Sequence, residues 1–120
     1  MVKTRSRASS DASTDILAGR IRPDMSFNQK VWAITARIPK GKVVTYADIA
    51  RKLKTSGYRA VGNALNRNPY APQVPCHRVV GSSGALTGFA HGVEKKRAML
   101  EAEGVRFDGS RVDLSCVCEL

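Results

Sequence analysis

Between Thr45 and Asn66, two short stretches with helical spacing are separated only by Lys54-Thr55-Ser56-Gly57. This pairing constrains the fold more than any other feature of the chain. Thr45-Tyr46-Ala47-Asp48 resembles a capping box, with Asp in place of the usual Glu, so that hydroxyl and carboxylate can each accept from the other residue's backbone N–H. The helix it opens would turn Ile49, Ala50 and Leu53 inward. A second helix is expected from Tyr58 to Asn66, burying Val61 and Leu65. It should stop before Asn68-Pro69, because a residue preceding proline is pushed out of the helical region. Two short helices around a Gly-containing turn have the form of a helix-turn-helix, whose second helix usually meets DNA. Helical hairpins that bind nothing share the pattern, so spacing alone leaves both readings open.

The flanking elements follow from the same rules. Ser26 is a candidate N-cap for a helix carrying Phe27, Val31, Ile34 and Ile38, with Pro39 and Gly41 as its stop. Val43-Val44 reads as an extended link. Beyond the Pro-punctuated loop Tyr70–Pro75, Arg78-Val79-Val80 and Ala85-Leu86-Thr87 flank Gly81-Ser82-Ser83-Gly84 as a small hairpin. A helix is expected over Val93–Glu103 with Gly104 at its C-terminal cap, then short strands around Asp108-Gly109. The sum is an α+β fold: a small winged-helix-like domain over residues 26–108 with a helix-turn-helix and a short β-hairpin. Residues 1–25 are read as a flexible, basic Ser/Arg-rich tail, too poor in large apolar groups to offset ordering entropy. Residues 109–120 are read as a C-terminal tail.

Charge is concentrated rather than spread. Of a net +10, residues 30–78 hold ten Lys/Arg against Asp48 alone, whereas the chain from Val79 onward is nearly balanced. Such a field favours a polyanion, nucleic acid above all, although a solvated basic face would look the same. No apolar run approaches the roughly 18 residues of a membrane span, so no membrane partner is expected. Three cysteines form no disulfide framework, which fits a reducing compartment, the cytoplasm or a nucleus. Cys116-Val117-Cys118 lacks a second ligand pair, so no metal and no cofactor are expected.

Cys76-His77 is the pair with chemistry in it. A thiol becomes a strong nucleophile when an imidazole or nearby cations favour its thiolate. On an extended segment, however, neighbouring side chains point apart, and a relay between them must be bent or pass through a water. As a bare dipeptide, Cys-His also reads as a buried structural cysteine.

The surrounding residues resemble a known family. Pro75-Cys76-His77-Arg78-Val79 resembles the active-site signature of the O6-alkylguanine-DNA alkyltransferases. Four further blocks follow the family order: Lys40-Gly41-Lys42-Val43-Val44-Thr45-Tyr46, Arg59-Ala60-Val61-Gly62-Asn63-Ala64-Leu65 with Asn66-Arg67-Asn68-Pro69, Gly84-Ala85-Leu86-Thr87-Gly88-Phe89, and Leu100-Glu101-Ala102-Glu103-Gly104. The resemblance implies single-turnover repair, in which Cys76 takes an alkyl group from guanine O6 in duplex DNA. It implies that His77 accepts the thiol proton through a water, that Glu103 orients the imidazole, and that Tyr46 donates toward guanine N3. By the same resemblance Arg59 fills the gap left by a flipped nucleotide, and Asn68 braces the active-site turn. The small residues Ala60, Gly62 and Ala64 would let the second helix approach the groove closely, although tight helix packing would use the same residues. The Val79 backbone and the Phe89-Ala90 loop would help bind the flipped base. Flipping is required because the alkyl carbon is hard to reach in a stacked base.

Full-length members usually carry a further N-terminal domain. In size this chain is closer to stand-alone alkyltransferase-like proteins, which typically replace the acceptor cysteine and sense damage. Cys76 favours transfer, by a monomer acting on double-stranded DNA that contains O6-alkylguanine. A binding-only sensor that recruits repair factors is the alternative, and a helix-turn-helix regulator with a structural cysteine is a third. His91 stands where many members have Gly and is expected to narrow the pocket entrance.

Overall fold

A computed structural model of the chain describes residues 12–86 and 92–120. Residues 12–17 are helical (α1). Next comes α2 (Phe27–Thr35), opened by a capping box in which Ser26 Oγ accepts from the Gln29 N–H and Gln29 Oε1 from the Ser26 N–H. Thr45 ends the strand β1 (Val44–Thr45) and caps α3 (Tyr46–Lys52); its reciprocal bonds with Asp48 are both 3.0 Å. α4 (Tyr58–Asn66) completes the helix-turn-helix. Its turn takes a left-handed conformation at Lys54, φ 59°, rather than at Gly57. Val31, Ile34, Ile49, Val61 and Leu65 share one core. Burying each such side chain contributes about 1.5–3 kcal/mol. Trp32 Nε1 donates to the Ala64 carbonyl at 2.7 Å, tying α2 to α4.

The second half differs from the expected hairpin. Cys76–Arg78 winds into a 3-10 turn, and β2 (Val79–Val80) pairs in parallel with β1, Val44 opposite Val79 and Thr45 opposite Val80. The cause is burial: both valines are fully covered and find their partner in β1. Gly81 and Ala85 still close a turn, but Ala85 bridges to Arg111. Gly84, at φ 85°, lies so close to Val112 that a Cβ would stand 2.5 Å from its carbonyl oxygen. After α5 (Val93–Ala102), the hairpin that forms is β3 (Phe107–Asp108) with β4 (Arg111–Val112), around Gly109 as expected. The fold is α+β, with helices and, among the described residues, two two-stranded sheets.

Both assigned tails need correction where they are described. Ile16 and Met25 are buried with Ala33 and Val74, so residues 12–25 pack against α2 and the loop before Cys76. At the other end Cys116 is buried beside Val43 and Leu100, and Val43 exchanges backbone bonds with Cys116 and Cys118. Sparse apolar residues in polar segments are enough when tertiary partners wait for them. Among the described residues no helix is long and apolar enough to cross a membrane.

Candidate active site

Cys76 begins the 3-10 turn and is half-buried against the main core. Its N–H donates to the Val74 carbonyl at 2.9 Å. Asn68 shapes the loop before it: Nδ2 donates to that same carbonyl at 2.8 Å, and Oδ1 accepts from the Tyr70 N–H at 2.9 Å. The segment through His77 is therefore helical rather than extended, which corrects the expectation that adjacent side chains point to opposite sides. Val79 is fully buried, and its N–H closes the turn on the Cys76 carbonyl.

His77 is 2% exposed, and its Nε2 lies 2.9 Å from Glu103 Oε2. Glu103 is the C-cap of α5, with Gly104 beyond it at φ 91°. Arg78 grips the same carboxylate with Nε on Oε1 at 2.9 Å and Nη2 on Oε2 at 2.7 Å, while Nη1 donates to the Ile38 carbonyl. Burial works to raise the Glu103 pKa, but hydrogen bonds from Arg78 and His77 outweigh it and hold the group below its ordinary value. Burial lowers the His77 pKa; the bond and charge of Glu103 oppose the shift without cancelling it, and Arg78 and Lys96 add to it. An ionised carboxylate only accepts. Nε2 must therefore carry the proton of a neutral imidazole, and Nδ1 holds the basic lone pair.

Lys96 is a charged residue of the site that sequence reasoning missed. Its side chain is fully buried, with Nζ 3.5 Å from Tyr46 Oη and 5.7 Å from the ring centroid. Burial pushes its pKa down to about 8, against the electrostatic pull of Cys76. One turn and two turns further along α5 stand Leu100 and Glu103, so the inward stripe of this helix is Lys96-Leu100-Glu103. That stripe was the available signal: charged residues at core-facing spacing.

The expected DNA-contacting residues lie on the outside. Arg59 and Ala60 are exposed on α4, and Gly62 is half-buried with open space where a Cβ would project. Ala64 instead lies in the core, where its small side chain serves helix packing rather than approach to a groove. Arg51, Lys52, Lys54 and Arg67 are exposed on the same helix-turn-helix. Phe89, Ala90 and His91 lie outside the described residues. Glu103 thus joins His77 to Arg78, and Lys96 joins Tyr46, while Arg59, Ala60 and Gly62 lie apart from them on α4.

Residues 26–105 match the family profile of the 6-O-methylguanine DNA methyltransferase, DNA binding domain. A methylated-DNA--protein-cysteine methyltransferase of Methanosarcina mazei is 47% identical over 78 residues, which are 64% of this chain and 49% of that protein. The protein of that name from Mycobacterium tuberculosis is 48% identical over 81 residues, 67% of this chain and 49% of the relative. The chain thus spans about half the length of these relatives. Among solved structures, M. tuberculosis OGT in complex with DNA is 38% identical, with a TM-score of 0.63 over 79% of this chain and 65% of that one. S. pombe Atl1 in complex with damaged DNA containing O6-carboxymethylguanine is 32% identical, with a TM-score of 0.70 over 83% of this chain and all of that one. On a profile match covering most of its length, this chain belongs to the family defined by the DNA-binding domain of the 6-O-methylguanine DNA methyltransferases.

Proposed function

We propose that this chain repairs DNA by moving an alkyl group from guanine O6 in a duplex onto Cys76 Sγ, once per molecule. The observation that carries the reading is a half-buried cysteine next to a buried, neutral imidazole whose Nε2 is held by an Arg-clamped carboxylate. Such a chain of nucleophile, base and orienter is the arrangement that activates weak nucleophiles. The thiol proton passes to His77 Nδ1 through a bridging water. Sγ then attacks the alkyl carbon, an S–C bond forms, the C–O6 bond breaks, and its electron pair leaves with guanine. Tyr46 donates to guanine N3, and the neighbouring Lys96 cation steadies both the thiolate and the phenol oxygen. The product thioether is a poor leaving group, so turnover ends there. Arg59 on the exposed face of α4 fills the stack while the base is out, and the basic residues around it hold the phosphates.

Because burial lowers the His77 pKa, the base stays neutral to a pH below its ordinary 6.5, and the rate falls only as pH drops through that lowered value. The test is Cys76→Ala. It should keep its affinity for duplex DNA containing O6-methylguanine and lose demethylation, and the wild type should never yield more repaired guanine than protein. Methyl still reaching the variant protein contradicts the assignment.

A second reading, damage binding without transfer, is favoured by the likeness to Atl1, which extends over all of that chain. Tight binding by the wild type with no loss of methyl from the DNA selects it.

A further inference from the structure

Residues 12–25 lie ahead of the family match, which begins at residue 26. They nevertheless pack against the loop that carries the acceptor cysteine. Ile16 is fully buried in a cluster with Met25, Ala33 and Val74, bordered by Trp32 and Tyr70. Ser13 Oγ and Tyr70 Oη lie 3.0 Å apart, and the Tyr70 ring stands edge-on to Trp32 at 5.8 Å. The segment is itself pinned. Asp15 pairs with Arg20 and Arg22, and Arg37 Nε donates to the Gly19 carbonyl at 2.8 Å. Gly19 is required there: φ is 76°, and a Cβ would stand 2.9 Å from Arg37 Cγ.

The two loop residues this segment touches govern the site. The Val74 carbonyl accepts from both Asn68 Nδ2 and the Cys76 N–H. The Tyr70 N–H donates to Asn68 Oδ1, and its carbonyl accepts from the Val74 N–H. Any shift of Val74 or Tyr70 is passed directly to the first residue of the 3-10 turn. We propose that residues 12–25 are a positioning strap for the acceptor: Ile16 on Val74 and Ser13 on Tyr70 fix the 68–76 loop and so aim Cys76. The strap's own contacts are with the loop, α2 and Arg37 rather than with Cys76. Its effect is on the geometry of attack, where a displacement of about 1 Å costs on the order of a hundredfold in rate.

The rate prediction rests on the alkyl-transfer reading; a second readout does not. In the full chain, Ile16→Ala should lower the single-turnover rate at saturating methylated duplex about tenfold. DNA affinity should stay within about twofold, because no exposed residue of α4 belongs to the cluster that the strap completes. Hydrogen exchange at the Cys76 amide should rise about tenfold while the Leu65 amide of α4 keeps its protection. Ile16→Leu should restore both, and Leu17→Ala, on the exposed side of α1, should change neither. Tyr70→Phe, which removes one hydroxyl and no volume, should raise Cys76 exchange about threefold and covers the case in which Ile16→Ala does not fold. If wild-type protein transfers no methyl, the alkyl-transfer reading fails, and the amide exchange still decides the strap. Exchange at Cys76 unmoved by Tyr70→Phe and by folded Ile16→Ala, or rising equally at Leu65, overturns the proposal.

Discussion

α4 and α5 are helices of nearly equal length, nine and ten residues, that use their faces in opposite ways. α4 buries Val61, Ala64 and Leu65 and presents Tyr58, Arg59, Asn63 and Asn66 to solvent. α5 buries Lys96 beside Leu100, turns Glu103 toward His77, and leaves Val93 47% exposed. An outer contact surface asks only for ordinary amphipathicity, because its charges remain hydrated and act on phosphates. A reacting centre asks for charges placed where water is excluded, since there they act on the nucleophile with less screening. The cost of that placement is desolvation, visible in the depressed Lys96 and His77 pKa values.

The comparison breaks if changes on α5 disturb binding as much as chemistry. Glu103→Gln should have the largest effect, because it removes the charge that holds His77 and leaves Arg78 facing a neutral amide. Transfer should fall about a hundredfold, and unfolding by denaturant should show a loss of about 3 kcal/mol. DNA affinity, measured by fluorescence anisotropy, should stay within about twofold. Equal losses of affinity and rate would show that the two faces are not separate.

Lys96→Met sharpens the contrast through pH. Between about 8 and the ordinary 10.5, the unfolded chain holds a proton that the folded protein has released. Wild-type stability should therefore rise through that window by about 3 kcal/mol, and the rise should be absent from the variant. Below pH 8 both states are protonated, and the variant should be the more stable, although its transfer is slower. Parallel stability curves for the two proteins would show that Lys96 is not desolvated.

On α4 the expected signature is reversed. Arg59→Ala should slow repair of a duplex about tenfold and leave reaction with free O6-benzylguanine within about twofold, because only a stacked base needs help to leave. Equal losses on both substrates would move Arg59 from the outer face into the chemistry. The smallest effect belongs to the turn between α3 and α4. Lys54 holds a left-handed conformation where glycine is favoured. Lys54→Gly should stabilise the protein by up to about 1 kcal/mol in thermal melts, at the expense of one cation near the DNA.

The same contrast explains what was legible in the sequence. The capping residues Ser26 and Thr45, the bounds of α4 and the Cys76-His77 signature were readable because each is local and has a fixed spacing. Lys96 was not, because a search for apolar periodicity passes over a helix whose inward stripe is Lys96-Leu100-Glu103. Arg78 read as the start of a strand and as part of the Cys76 signature; its grip on Glu103 spans 25 residues and depends on where α5 ends. The parallel pairing of Val44–Thr45 with Val79–Val80 left no trace either, since two residues cannot show an alternation. Ile16 and Met25 were lost in the polar average of residues 1–25, and their burial is supplied by Ala33 and Val74 from distant parts of the chain.

Mass spectrometry decides whether Cys76 is the acceptor. The intact wild-type protein is mixed with a duplex carrying one O6-methylguanine, then digested and mapped. The account predicts a gain of one methyl per protein molecule, located on the peptide containing Cys76, with Cys116 and Cys118 unmodified. Unmodified protein recovered from a stable complex with the lesion, or methyl on any other residue, would contradict it.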